Sequence, residues 1–133
     1  MDRDGITRIA ERHGIRLLVQ FGSSVTGKTH EWSDVDLAAL LERPSVSLRE
    51  YSDLLHDLEA QFPGQAVDLA ILNHADPLFL KKSLEPCRLL CGEARRLQRL
   101  KIYAFKRYQD HKPYLALERR VVARRLAGLL SDG

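Results

Sequence analysis

Apolar and polar positions alternate along the chain in a way that predicts short strands separated by amphipathic helices. Compact apolar runs bounded by glycine, proline or polar residues predict four strands, over residues 15–21, 35–41, 66–72 and 87–91. Apolar residues at helical spacing predict three helices, over residues 7–13, 48–62 and 76–84. This order of elements indicates an α/β (α+β) fold with a mixed sheet and helices packed on it.

The last part of the chain has a helical pattern from residue 93 to residue 130. Pro113 has no backbone N–H and disrupts a helix interior, so we expect two helices that meet near His111 and Pro113 rather than one. Apolar stripes along this tail favour packing on the sheet or on a partner protein, with the charged residues facing water.

Length and composition are those of an ordinary globular domain. The 133 residues fit one domain, with a core over residues 1–92 and a helical tail over residues 93–130. No apolar run approaches the roughly 20 residues that span a bilayer, so no membrane association is expected. The charged N-terminus lacks the apolar core of a signal peptide, which makes a cytoplasmic location the expectation.

Charge is distributed unevenly along the chain. Acidic residues outnumber basic ones by 13 to 7 over residues 1–80, whereas basic residues outnumber acidic ones by 14 to 5 over residues 81–133. The arginines, lysines and tyrosines of the basic tail are compatible with RNA binding. The apolar stripes of the same tail favour packing or partner docking over direct nucleic-acid contact.

Two predicted strands carry nearly the same sequence and therefore place acidic residues in equivalent positions. Residues 35–40 read VDLAAL and residues 67–72 read VDLAIL, so five of six positions agree. Side chains two apart on a strand face the same way, so Asp34 and Asp36 project together. If the two strands are neighbours, about 4.8 Å apart, Asp68 lies beside that pair. Three converging carboxylates repel one another unless a cation relieves them, and two Mg²⁺ ions bridged by shared carboxylates suit attack at a phosphorus.

The loop before these acids has the features of a phosphate-binding segment. Gly22 allows backbone N–H groups to approach a phosphate closely, and Ser23 adds a hydroxyl donor. The loop also satisfies the P-loop pattern G-x4-G-K-[ST] over residues 22–29. A P-loop opens a long helix, whereas the residues after Lys28 lead into a strand-like run. We therefore favour the Gly-Ser interpretation, in which Lys28 remains a candidate phosphate contact.

The segment FGSSVTGKTHEWSDVDLAAL resembles the G-S-x10-D-x-D signature of the minimal nucleotidyltransferases of the DNA polymerase beta superfamily, which carry a third acid on a later strand. The matching residues are Gly22, Ser23, Ser33, Asp34, Asp36 and Asp68. By similarity, the three aspartates would be catalytic and would bind two Mg²⁺ ions. The glycine and the serine after it would hold the β and γ phosphates of a nucleoside triphosphate.

The resemblance implies a mixed-sheet nucleotidyltransferase fold and an enzyme that transfers AMP from ATP to an acceptor hydroxyl with release of pyrophosphate. Standalone members of this size are commonly antitoxins that AMPylate a tyrosine of a HEPN-domain RNase toxin, so the expected partner is such a toxin. Two alternatives stay open. The chain could be a non-catalytic antitoxin that neutralises its partner by docking, or an enzyme that transfers a nucleotidyl group to a small molecule.

Overall fold

The computed structural model describes residues 1–22 and 34–131, which form a four-stranded sheet with helices on both faces. The strands are β1 (Ile15–Phe21), β2 (Val35–Leu41), β3 (Val67–Ile71) and β4 (Arg88–Cys91), and the helices are α1 (Arg3–His13), α2 (Leu48–Glu59), α3 (Pro77–Leu84) and α4 (Ala94–Ser131). The sheet order is β3-β2-β1-β4. Strand β1 is antiparallel to β2 and β4, and β2 is parallel to β3. The predicted mixed sheet is confirmed.

Burial on both faces of the sheet explains why its strands are apolar at nearly every position. Leu37 and Ala39 pack with α1 and α2 on one face, and Leu17 and Ala38 pack with α3 and the first half of α4 on the other. Because alternate side chains of β2 point to opposite faces, Asp36 lies on the same face as Ala38.

Polar caps set most of the helix boundaries. The Ser47 side chain accepts a hydrogen bond from the Glu50 N–H in a capping box that begins α2. The Asp76 side chain accepts one from the Phe79 N–H at the start of α3. Asp2 caps α1, so this helix begins four residues before the predicted start. Gly14 ends α1 with a left-handed φ of 67°.

Two predicted features of the helices are wrong. Helix α2 ends at Glu59 rather than at residue 62, because the N–H groups of Gln61 and Phe62 bond to carbonyls three residues back in a tight turn. The break predicted near Pro113 is absent, since α4 is one helix. A proline in a helix interior costs about 3 kcal/mol, but a break there would require a second costly nucleus to start another helix.

Helix α4 has 38 residues and is rich in charged side chains. Within residues 1–22 and 34–131, no helix is both long enough and apolar enough to cross a membrane.

Candidate active site

The end of β1 and the starts of β2 and β3 lie together at one edge of the sheet. Strands β2 and β3 run parallel, and Asp36 of β2 is the direct partner of Asp68 of β3. The two VDLA segments therefore lie side by side, which is the condition under which Asp68 was expected beside Asp36. Strand β1 runs in the opposite direction and ends at the same edge, where Phe21 is the partner of Asp36. The acids and the glycine of the predicted phosphate loop thus share one location.

Gly22 lies directly against Asp36. Its φ is 77°, in the left-handed region that residues with a Cβ rarely adopt. A Cβ placed on Gly22 would lie 2.5 Å from Oδ2 of Asp36, which is closer than atoms can approach without a shift. The backbone conformation therefore favours glycine here, and a Cβ would also displace the Asp36 carboxylate.

Asp36 is the central acid of the group. It is half-buried, whereas Asp34 and Asp68 are exposed. Burial raises the pKa of Asp36, and the negative charges of Asp68 and Asp34 raise it further. A cation bound here would offset both effects, because it would stabilise the ionised carboxylate.

The donor atoms at this edge fit a hard divalent ion such as Mg²⁺, since they are carboxylate oxygens. The side chains as placed do not form a closed set of ligands. Among residues 1–22 and 34–131, no three His, Cys, Asp or Glu side chains lie close enough together to hold a metal ion. The charges of Asp34 and Asp68 act on Asp36, but the described side chains do not form the predicted convergence of three carboxylates on one metal site.

An aromatic pair borders the acids. Phe21 is opposite Asp36 across the β1–β2 pair, so the two side chains share one face of the sheet. The ring of Phe21 meets the ring of Phe79 from α3 edge to face, with the centroids 6.0 Å apart. Helix α3 is thereby packed against the end of β1, and it gives the site one apolar side.

Sequence reasoning missed Tyr51, which it treated only as an apolar position of a helix. The Tyr51 hydroxyl donates a hydrogen bond to the Leu69 carbonyl, with 2.6 Å between the oxygens. Leu69 follows Asp68 in β3, which is an edge strand, so this bond fixes the backbone that carries the third acid. Burial raises the pKa of Tyr51, and the charge of Asp68 raises it further, which keeps the donor protonated. The signal available in the sequence was a hydroxyl at a core-facing helical position, because a buried tyrosine hydroxyl usually finds a partner.

The remaining predicted site residues are Ser23, Lys28 and Ser33, which lie outside the described residues. Their proposed contacts with phosphate stay predictions. The competing P-loop interpretation does not agree with the sheet, because β1 and β2 are antiparallel neighbours. A P-loop strand is followed by a helix that crosses over to a parallel strand.

A family model described as "Polymerase beta, Nucleotidyltransferase" matches residues 4–96, a range that contains all seven predicted site residues. Among curated proteins, none matches the chain significantly.

The fold recurs in solved structures. The chain matches a crystal structure of a toxin–antitoxin with AMP-PNP at 20% identity and a TM-score of 0.74, over 96% of this chain and 99% of that one. It also matches a chain in the structure of a tri-AMPylated HEPN toxin of Shewanella oneidensis in complex with MNT antitoxin. That match has 18% identity and a TM-score of 0.66, over 94% of this chain and 95% of the other. A crystal structure of the toxin–antitoxin MntA–HepT matches at 18% identity and a TM-score of 0.66, over 94% and 96%. At these identities the likeness establishes a common fold.

Proposed function

The chain belongs to the polymerase beta nucleotidyltransferase family, and from that premise we propose that it transfers AMP from ATP to a tyrosine hydroxyl of a partner protein, as the cytoplasmic antitoxin of a HEPN RNase toxin. The observation that carries this proposal is the in-register pair of Asp36 and Asp68 next to Gly22, inside the segment that the family model matches. At this edge of the sheet, the backbone of Gly22 lies next to carboxylates that could bind metal.

Transfer of AMP requires the acceptor oxygen to attack the α-phosphorus of ATP while the bond to the bridging oxygen breaks and pyrophosphate leaves. Asp34, Asp36 and Asp68 would hold two Mg²⁺ ions, which supply neutralisation of the phosphate charge and a lowered pKa of the acceptor hydroxyl. The chain itself keeps these acids in place through the β2–β3 register, and Tyr51 fixes the outer strand.

The triphosphate would lie along the loop that follows β1. We propose Gly22, Ser23, Ser33 and Lys28 as its contacts, because they combine backbone N–H groups, hydroxyls and one cation. Because Gly22 has no side chain, the start of this loop can lie next to Asp36. The Phe21–Phe79 pair would shield one side of the reacting groups from water, which strengthens electrostatic interactions there.

Two similar structures support the choice of donor and partner. One is a toxin–antitoxin with AMP-PNP, an analogue of ATP, and another contains a HEPN toxin that is tri-AMPylated. Each match extends over at least 94% of this chain and 95% of the other. The same kind of partner and the same donor are therefore proposed for this chain.

The test is incubation of the purified chain with Mg²⁺, ATP radiolabelled at the α-phosphate, and the product of the adjacent gene. We expect label on the partner protein and none when EDTA is present. Asp36→Asn should abolish labelling, because it removes a charge that binds metal. Asp53→Asn is the matched control, since Asp53 is an exposed aspartate of α2 away from the site. No labelling with any nucleoside triphosphate, in a mixture where the two proteins still bind, would overturn the proposal.

A second function, neutralisation by docking alone, is favoured by the large apolar side chains that α4 exposes, among them Tyr114, Leu117 and Leu126. The two functions differ in how a toxic partner responds to an Asp34→Asn/Asp36→Asn double variant. Equal protection of growth by the wild type and the double variant would establish docking. Loss of protection, with the complex still formed, would establish transfer.

A further inference from the structure

The second half of α4 has no covering element in the part of the chain that the structure describes. Ala104 is buried, whereas every side chain described between Lys112 and Gly128 is exposed. At about 1.5 Å per residue, this segment is roughly 25 Å long. An isolated helix of this length is only marginally stable in water, and most helical stability comes from packing. The segment is therefore of the kind that another molecule stabilises.

Large apolar side chains occupy one side of this segment. They stand at positions 114, 117, 121, 122 and 126, which at about 100° per residue fall within an arc of about 180°. They are 41% to 64% exposed, far more than core residues. An exposed group of large apolar side chains of this kind marks an interaction site. We define the α4 face by these residues: Tyr114, Leu117, Val121, Val122 and Leu126.

Charge identifies what kind of molecule fits the α4 face. Between residues 112 and 131 the chain has five basic side chains and one acidic one. By the same helical geometry, Arg119 and Arg124 border the α4 face on its two sides, and Glu118 and Arg125 lie within it among the apolar side chains. An occupant with acidic side chains around an apolar centre would match this pattern, as apolar centres with polar rims do in protein interfaces.

Two other occupants fit less well. A second copy of this chain would bring two basic helices to about 8–10 Å from each other, within the distance over which charges repel at physiological salt. RNA would pair with the arginines through its phosphates but would leave the apolar side chains in water.

We propose that the α4 face docks into an apolar groove between helices of a partner protein, and that acidic side chains rim this groove. The inference rests on the proposed function in one respect, since the partner is the protein that accepts AMP. The first half of α4 packs on α3 and on the sheet face that carries Asp36. A protein held by the second half is thus tethered to the body that carries the acids, which raises its effective concentration there.

The experiment compares two double variants of the full chain that add the same charge on opposite sides of one helix. Leu117→Glu/Leu126→Glu changes the α4 face, and Ala116→Glu/Ala127→Glu changes exposed positions on the reverse side. Binding to the product of the adjacent gene is measured by titration calorimetry, and circular dichroism checks that helix content is equal. We expect the first pair to weaken binding by about a hundredfold and the second pair by less than about threefold.

A second pair of variants tests the basic residues that border the α4 face. Arg124→Glu reverses a charge beside the α4 face, and Arg120→Glu reverses one on the far side of the helix. We expect Arg124→Glu to weaken binding more, and the difference between the two variants to shrink as salt rises. Equal effects of the two reversals at every salt concentration would contradict an acidic rim.

Each remaining outcome has a definite meaning. Absence of a complex with the wild type, or equal losses in the two double variants, would overturn the proposal. The chain could instead self-associate or bind labelled single-stranded RNA. If the Leu117→Glu/Leu126→Glu variant abolished either of these interactions, the proposal would be overturned. If the wild type docks through the α4 face but transfers no label, docking stands and the proposed function fails. If the face variant transfers label at the normal rate, the proposed function stands and docking fails.

Discussion

Gly22 and Asp36 are in contact at the end of the β1–β2 pair, where a Cβ on residue 22 would come within 2.5 Å of the Asp36 carboxylate. The glycine belongs to the loop that the sequence marks for phosphate, and the aspartate belongs to the strand that it marks for metal. The contact makes these two signals parts of one structural unit. A change at either residue should therefore affect both.

Gly22→Ala should lower stability and abolish transfer. The left-handed backbone costs a residue with a Cβ about 1–2 kcal/mol, and the contact with Asp36 adds to this. Gly64→Ala is the matched control, because Gly64 has a φ of 79° and no atom within 4 Å of a new Cβ. It should lose stability by backbone strain alone and keep transfer. Urea unfolding and the labelling assay measure both quantities, and identical behaviour of the two variants would contradict the contact.

Asp36→Asn should stabilise the metal-free protein. Burial of the Asp36 charge and its repulsion by Asp68 and Asp34 both destabilise the folded protein. Removing one of several facing like charges should raise the free energy of unfolding by up to about 1 kcal/mol. The pKa of Asp36 is raised above its ordinary value of 3.8, so the destabilisation begins as pH rises above that value and is complete above the raised pKa. Thermal unfolding in EDTA between pH 3 and pH 8, values chosen to bracket that transition, would measure it. A variant less stable than the wild type at neutral pH would show that Asp36 is not repelled.

Asp57→Asn should destabilise the fold on the side away from the acids. Asp57 Oδ2 and His13 Nε2 are 2.6 Å apart, joining α2 to the end of α1. The variant keeps an amide oxygen that can accept from His13 but loses the charge, and the difference between a charge-assisted and a neutral hydrogen bond is about 1 kcal/mol. The bond with His13 lowers the pKa of Asp57, burial opposes this shift, and the charge of Arg12 adds to it.

The sign of the pH effect follows from that lowered pKa. The stabilisation is fully present above the ordinary value of 3.8 and is lost as pH falls through the folded-state pKa. The acid limb of a stability-against-pH curve should thus be shallower for Asp57→Asn than for the wild type. Asp53→Asn, an exposed change on the same helix, should leave the curve as it is.

Tyr51→Phe should loosen β3 without changing the core. The variant loses the hydrogen bond to the Leu69 carbonyl, worth about 1 kcal/mol. We expect faster amide hydrogen exchange in β3 and a severalfold lower rate of transfer, because Asp68 lies on that strand. Tyr103→Phe is the control, since Tyr103 is exposed on α4. Unchanged exchange in β3 would mean that Tyr51 does not hold the strand.

The sequence was sufficient for β1 and β2 because both are buried on two faces, which makes their apolar runs continuous and their ends sharp. The repeated VDLA segment also predicted that Asp36 and Asp68 would be neighbours, since equal sequences favour equal environments in one sheet. Those features depend on local pattern. They needed no knowledge of how distant side chains meet.

Other features depend on distances that local pattern does not contain. The bond between Tyr51 and Leu69 requires a helix to pack at one particular position over an edge strand. The contact between Gly22 and Asp36 requires the antiparallel register of β1 and β2. Pro113 misled the prediction of α4 because a local rule about one residue was outweighed by helix formation on both sides.

The antiparallel pairing of β1 and β2 has a consequence for how such a protein can diverge. The chain leaves the sheet after β1 and returns to it before β2 at the same edge, so the connecting segment can change length without moving either strand. Each doubling of its length costs only about 0.6 kcal/mol in closure entropy. Because Asp36 and Asp68 lie on paired strands, a change in this segment leaves the register between them as it is. The scaffold beneath the two acids is therefore insulated from variation in the segment that joins β1 to β2.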